Sequence, residues 1–360
     1  MSRAAIELIQ NAFVLPLTFV EPSQEGWPGR FDGSVHYSDR QVCDLAAIQV
    51  PGSLHEPASP AAFEHVSPIM TAGQHVFGGL LNNVHFGHFI TESIVRLWAI
   101  NYLATSFDTV VFYKYAPAAD LPEFVSDTLE ILLPECRISI LSAPASFERL
   151  AVPQELKQGS YFYGHPLNIE MCKRLRSFIG TSDVPKNVYI SRSRLNIGNG
   201  GLIYEELIDD YMRSEGYTVL YPEAMPIRQQ LEVYSNAEKL VFADGSAVHL
   251  YALVAHTSQS VFVIHRRGKY RVYDWQIGTL GGPSVQGESH IEELWVPERD
   301  PSRSFGKGVL NFSSLSKEMF KAGFISSRAW ENPTPAKIKD RLMAIMEERK
   351  LSYVQTSIPD

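Results

Sequence analysis

From residue 187 to residue 265 the chain repeats one pattern: a short apolar run, a turn rich in glycine or charge, and an amphipathic stretch. Residues 187–191 (NVYIS), 217–221 (YTVLY), 239–243 (KLVFA) and 260–265 (SVFVIH) read as buried strands. Residues 202–216, 226–235 and 247–255 read as helices, the first closed by Gly216. Strands joined by helical crossovers pair in parallel, and both faces of such a sheet must be covered. The spacing therefore predicts a Rossmann-like layer of four strands.

The first half alternates in the same way. Residues 108–113 and 137–141 read as strands, and 121–134 as a helix that stops at Pro134. Residues 147–155 read as strand and loop, and 169–180 as a helix ending at Gly180. Apolar residues from Phe86 to Ile100 keep helical spacing, which predicts one helix over 86–104. Residues 1–75 are rich in Pro, Gly, Ser and His and fit short strands and loops. Near the end, Ile338, Leu342, Ile345 and Met346 share one face of a helix with Pro335 in its first turn, a face expected to pack on another element.

Composition narrows the function classes. Hydrophobic residues are 45% and charged residues 20%, which fits a globular protein and excludes a disordered chain or a coiled coil. Lys and Arg total 32 against 40 Asp and Glu, a net charge of −8. Nucleic acid is therefore not expected as a partner, since phosphate-backbone binding needs clustered cations. A phosphate-bearing small molecule needs only a few local donors. Three cysteines without CxxC give neither a disulfide framework nor a zinc site, and fit a reducing compartment. The apolar run 12–20 is broken by Pro16, and no stretch reaches the roughly 18 apolar residues of a membrane helix. A cytoplasmic protein without a transmembrane segment is expected; peripheral membrane contact and oligomeric state stay open.

Three clusters carry chemistry. His88, Glu92 and Arg96 are spaced i, i+4, i+8 on the expected helix and share one stripe. That stripe is either a solvated face with a stabilising Glu–Arg pair, or a general-base site in which Arg96 orients the Glu92 carboxylate. His85 and His88 lack the HExxH order and a third ligand, so no metal is expected. Ser191-Arg192-Ser193-Arg194 and the glycine-rich stretch 196–201 lie between a strand and a helix, where backbone N–H groups gather anions. Arginine adds bidentate bonds to phosphate; the alternative is a surface loop with a solvated basic patch. Asp244-Gly245-Ser246-Ala247, with His249, again separates strand from helix. Its glycine admits a ligand close to the backbone, or the turn is simply a cap. GxGxxG, GKS/GKT and GxSxG are all absent, which counts against NAD binding, triphosphate hydrolysis and a serine hydrolase.

Residues 87–97 (GHFITESIVRL) resemble glycosyltransferase family 61, whose motif runs aromatic-His-Trp/Phe, then an acidic residue, then Pro-Arg-Leu. Tyr189-Ile190-Ser191-Arg192 is similar to the family's strand ending in Ser-Arg. Gly216-Tyr217-Thr218-Val219 and Tyr221-Pro222-Glu223 are similar to its Gly-aromatic strand and following Pro-Glu. Residues 229–242 resemble its Gln-helix and Ala-Glu strand, and Asp244-Gly245-Ser246-Ala247 its His-Gly-Ser/Ala-Ala turn. Asp244 stands where the family has His, and Val95 where it has Pro. The arginine cluster after Arg192 is thinner than in the family.

The resemblance, which spans residues 80–265, implies a GT-B-type α/β fold, with two Rossmann-like domains facing a cleft. Residues 1–182 are then the acceptor-side domain, 183–300 the nucleotide-sugar domain, and 301–360 an extension packing back on the body. It implies inverting transfer from a nucleotide sugar, UDP-linked by expectation, to a glycan or polysaccharide in bacterial capsule or other surface-polysaccharide synthesis, with no metal or cofactor required. Glu92 or His88 is the expected base, with Arg96 holding the carboxylate. Arg192, Ser191 and Arg194 are expected at the diphosphate, beside Asp244, Gly245, Ser246, Ala247 and His249. Glu223 is expected on the ribose or the sugar. The alternative is a non-catalytic glycan-binding or scaffold protein that keeps the fold.

Overall fold

The computed structural model describes residues 4–22, 28–49, 54–57, 67–103, 107–116, 119–134, 136–196, 198–299, 303–327 and 330–358. The chain is mixed α/β and divides into two compact units, Met1–Leu175 and Arg176–Asp360.

The first unit is built on a seven-stranded sheet. Its order is Leu54–Glu56, Pro28–His36, Ile6–Pro22, Ala145–Pro153, Met70–Leu81, Thr109–Lys114 and Arg137–Leu141. The last four run parallel to one another. Ile6–Pro22 is antiparallel to both of its neighbours. Short strands were expected before residue 75, yet this strand has 17 residues. Pro16 forbids a helix, but a strand accommodates it where the ladder with Pro28–His36 shifts register between Leu15 and Thr18. Ile9, Ala12, Val14 and Leu17 pack there with Val35, Phe77, Val111 and Leu150 in one core.

The single helix expected over 86–104 is broken. Phe86–His88 is one helical turn, Phe89–Ser93 is π-helical, and helix resumes only at Trp98–Tyr102; Ala104 lies outside the described residues. Three contacts explain the break. Thr91 Oγ1 donates back to the Gly87 carbonyl at 3.0 Å, a bond that bends helices. The Asn82 N–H is satisfied by Ser93 Oγ at 2.8 Å. The Val95 carbonyl accepts from the Leu156 N–H at 2.9 Å instead of continuing the helix.

In the second unit all four expected strands form, and Val285–Gln286 adds a fifth. The order Thr218–Leu220, Asn187–Ile190, Lys239–Ala243, Ser260–Ile264, Val285–Gln286 is parallel throughout. In chain order this is 2-1-3-4-5, with its switch point between Asn187–Ile190 and Lys239–Ala243. The helices Glu205–Ser214, Ile227–Asn236, Ala247–Ala252 and Val272–Thr279 are the crossovers. The first of these is shorter than expected, because Gly201–Leu202 is a strand rather than helix.

Gly201–Leu202 belongs to a second sheet, in the order Gly201–Leu202, Lys307–Leu310, Ile291–Pro297, Tyr353–Thr356. Helix Pro335–Arg349 starts where Thr334 caps the Lys337 N–H. Its Leu342 and Ile345 pack on Ile203, Val309 and Tyr353, the face that the sequence marked. Among the described residues no helix is long and apolar enough to cross a membrane.

Candidate functional site

In a doubly wound sheet, ligands settle at the carboxyl ends of the strands where the order reverses. Two turns meet there in the second unit. Ser191 and Arg192 follow the strand ending at Ile190, and Asp244 and Gly245 follow the strand ending at Ala243. They touch: a Cβ on Gly245 would stand 2.5 Å from Arg192 Nη1. Glycine at 245 is what lets the guanidinium lie against the backbone.

The residues after the next strand complete the cluster. Arg266 Nε donates to the Asp244 carbonyl at 3.1 Å and lies 3.8 Å from the carboxylate Oδ2; Arg267 Nε is also 3.8 Å from Oδ2. Tyr273 donates its hydroxyl to Oδ1 at 2.6 Å. Burial pushes the Asp244 carboxyl up, but Arg266, Arg267 and the tyrosine bond outweigh it and hold it below the usual aspartate range. Asp244 is 1% exposed. It therefore acts on the two arginines, and through them on anything they bind.

Arg192 donates to the Gly200 carbonyl at 3.2 Å, and its own N–H is taken by Glu205 at 3.2 Å. The glycine-rich stretch does not open a helix, contrary to expectation. It leads into the strand Gly201–Leu202, and helix Glu205–Ser214 begins with two carboxylates that already oppose its dipole. The glycines serve close packing: a Cβ on Gly200 would stand 2.1 Å from the Ser304 carbonyl oxygen and 2.3 Å from Arg266 Nη1. Beyond Arg192 a cavity of about 130 Å³ is lined by Asn199, Gly201, Glu205, Lys307 and Arg341, among others.

The remaining expected residues of this unit divide. The Ser191 hydroxyl is fully buried and donates to Asp209 at 2.6 Å, so it fixes the turn instead of facing a ligand. Arg194 is exposed and stacks on the Tyr221 ring, 3.6 Å from its centroid. Glu223 is exposed on the turn Pro222–Ala224, which Gln230 holds by bonds to the Pro222 and Met225 carbonyls. Ser246 and Ala247 begin helix Ala247–Ala252, half-buried and without a side-chain cap bond. His249 is buried and donates Nδ1–H to Gln276 Oε1 at 2.6 Å.

In the first unit, Asn82 and Asn83 shape the exit from strand Met70–Leu81. Asn82 Oδ1 accepts from the N–H groups of Val84 and His85. Asn83 clamps the loop after Thr109–Lys114 through Ala116, Ala119 and Asp120. This turn delivers His88 and Glu92, bonded Nδ1 to Oε1 at 3.0 Å. Glu92 is buried, while the His88 side chain is 39% exposed. The pair sits in the helical turn and the π-helical segment, a distortion that recurs at functional sites.

Arg96 does not join them. Its guanidinium is fully buried, donates to the carbonyls of Leu45, Ala47 and Pro153, and pairs with Glu155 at 3.4 Å. The expected stripe required an unbroken helix, and the π-helical segment and turn turn Arg96 away from Glu92.

A family model described as Glycosyltransferase 61 matches residues 86–261. That segment is similar to glycosyltransferase family 61. The match opens at the turn carrying His88 and ends inside the strand Ser260–Ile264, so it covers Glu92, Arg192 and Asp244. Arg266, Arg267, Tyr273 and Lys307 lie beyond it. No curated protein matches the sequence. Among solved structures, the chain is similar to a dodecameric iron-containing heptosyltransferase, TibC, in complex with ADP-D-beta-D-heptose. The identity is 12%, the coverage 79% of this chain and 82% of that one, and the TM-score 0.31.

The sequence reading missed Arg266 and Arg267. The signal was present: like Ser191-Arg192, they follow a buried strand directly, at the end of the sheet where ligands bind. Tyr273 and Lys307 had no such signal, because only the folded chain brings them to Asp244 and Glu205.

Proposed function

We propose that the chain is an inverting glycosyltransferase that uses a nucleoside-diphosphate sugar as donor. The observation that carries the reading is the convergence of Arg192, Arg266 and Arg267 on the switch point of a parallel sheet. These cations stabilise the diphosphate as it departs, when its negative charge grows. Arg192 is suited to bidentate contact, and Asp244 fixes the other two arginines in place.

His88 is the base in this reading, and Glu92 its positioning partner. The carboxylate accepts Nδ1–H and so directs Nε2 to the acceptor hydroxyl. As that hydroxyl attacks C1 of the donor sugar from the face opposite the diphosphate, the bond from C1 to the diphosphate oxygen breaks. The hydroxyl proton passes to His88, and Glu92 stabilises the imidazolium. The acceptor is a glycan or polysaccharide, the donor is UDP-linked, and no metal takes part. The GT-B class and a cytoplasmic role in surface-polysaccharide synthesis belong to the same reading, and the family match over residues 86–261 is their support.

Calorimetric titration of UDP, GDP and CMP, with magnesium and with EDTA, into wild type and Arg192→Ala tests it. Metal-independent binding of a diphosphate that weakens at least tenfold in the variant is expected. Binding of none, or equal binding to both proteins, overturns the donor assignment.

A further inference from the structure

The cluster behind Arg192 holds more positive charge than the protein neutralises. Arg192, Arg266, Arg267 and Lys307 stand against two carboxylates, Asp244 and Glu205, while Glu206 at the same cavity is paired with Arg341 at 3.3 Å. Buried charge is retained at such cost only where a partner compensates it.

Lys307 is the unexpected member. It begins a strand of the second sheet, is 7% exposed, and donates to the Asn199 carbonyl at 2.7 Å. A Cβ on Gly201 would stand 3.9 Å from its Nζ and 3.1 Å from Glu205 Oε2, so amine and carboxylate flank one glycine. Both line the cavity that Arg192 also lines. Burial brings the amine down to about 8, against the pull of Glu205 and with the repulsion of Arg349, Arg266 and Arg192. Burial also raises Glu205 above the ordinary carboxylate value, against the pull of Arg192 and Arg266. A buried amine on a rigid strand, facing a small cavity among arginines, suits a dianionic phosphate better than a sugar hydroxyl.

We propose that Lys307 binds the β-phosphate of the donor, which carries the sugar before transfer and becomes the terminal phosphate of the released diphosphate, closing the cavity behind Arg192. This assignment rests on the donor reading above. It extends the donor site past residue 261 into the second sheet. A phosphate beside the amine favours its protonated form, so diphosphate binding takes up a proton where the free amine is partly neutral.

The test is titration of UDP, UMP, GDP and GMP into wild type, Lys307→Met and Lys307→Arg, at pH 8 in Tris and in HEPES. The two buffers differ in ionisation heat and so report proton uptake. Wild type is expected to take up a fraction of a proton per diphosphate. Lys307→Met is expected to weaken diphosphate binding by about tenfold to a hundredfold, to change monophosphate binding less than about twofold, and to abolish the uptake; Lys307→Arg restores much of the affinity. The uptake needs no variant, so a poorly folding Lys307→Met leaves the proposal testable. No proton uptake by wild type, or an equal loss for mono- and diphosphate, overturns it. If Arg192→Ala weakens diphosphate binding while Lys307→Met does not, Lys307 alone is wrongly assigned. If wild type binds neither diphosphate, the donor reading falls, and this assignment with it.

Discussion

Arg192 and Gly245 occupy each other's space: the Arg192 Nη1 atom sits 2.5 Å from where a side chain on residue 245 would begin. A methyl group there displaces the end of a flexible side chain and leaves the backbone alone. Gly245→Ala is expected to cost little stability, with a melting shift of about 2 °C or less, yet to weaken diphosphate binding about tenfold. Gly200→Ala is the contrast, since its methyl would meet the Ser304 carbonyl at 2.1 Å and cannot be relieved by a rotamer. It is expected to destabilise by roughly 2 kcal/mol or more. Thermal unfolding and nucleotide titration of both variants separate the two effects.

The His88–Glu92 pair predicts unequal kinetic losses. His88→Ala is expected to lower kcat by about 10²–10⁴, with unfolding unchanged because the ring is half-exposed. Glu92→Gln keeps the shape and loses the charge that stabilises the imidazolium, so a smaller loss is expected. A steady-state assay with the identified donor checks both. Near-wild-type turnover in His88→Ala would place the base elsewhere.

Arg96 is expected to matter for stability before catalysis. Arg96→Met leaves three carbonyls without their donor and takes from Glu155 one of its two cations, Lys157 remaining at 3.0 Å. Unsatisfied buried acceptors cost about 1–3 kcal/mol each, so a loss of roughly 3 kcal/mol or more is expected. Chemical unfolding of the variant should show a loss of that size. A folded, stable, inactive Arg96→Met would instead return Arg96 to the catalytic group.

Lys307 makes the ligand-free protein less stable at neutral pH. Its amine is lowered in the folded state, so between about pH 8 and its ordinary value of 10.5 the unfolded chain binds more protons. Stability from this group therefore rises with pH through that window, and its penalty is complete below about pH 8. Lys307→Met is expected to stabilise the free protein at pH 7 by roughly 1 kcal/mol or more, with the gain shrinking from about pH 8 and nearly gone by pH 10.5. Unfolding curves at pH 7 and pH 10.5 check the difference.

The sequence was most legible where local signals and tertiary packing agree. The four strands between Asn187 and Ile264 are apolar runs set off by turns, and each forms. Reading failed where distant partners decide. Nothing within residues 86–104 announces that the Val95 carbonyl will pair with Leu156, or that Arg96 will be drawn to Pro153 and Glu155. The candidate site was half legible for the same reason. Arg192 and Gly245 lie in turns that follow strands, and the fold brings the two turns together. Ser191 looked equally placed, but Asp209, eighteen positions on, claims its hydroxyl.

The strand Ile6–Pro22 lies inside its sheet, between Pro28–His36 and Ala145–Pro153. Among the described strands of this sheet it is made before the others. One side can pair almost at once with Pro28–His36, but the other side waits until residues 145–153 have emerged. Until then the nascent chain presents an apolar strand edge with no partner, the kind of surface that recruits other chains. Any fragment ending before residue 145 keeps that open edge permanently. Expression boundaries for the first unit therefore belong beyond residue 153, and shorter pieces should aggregate rather than fold.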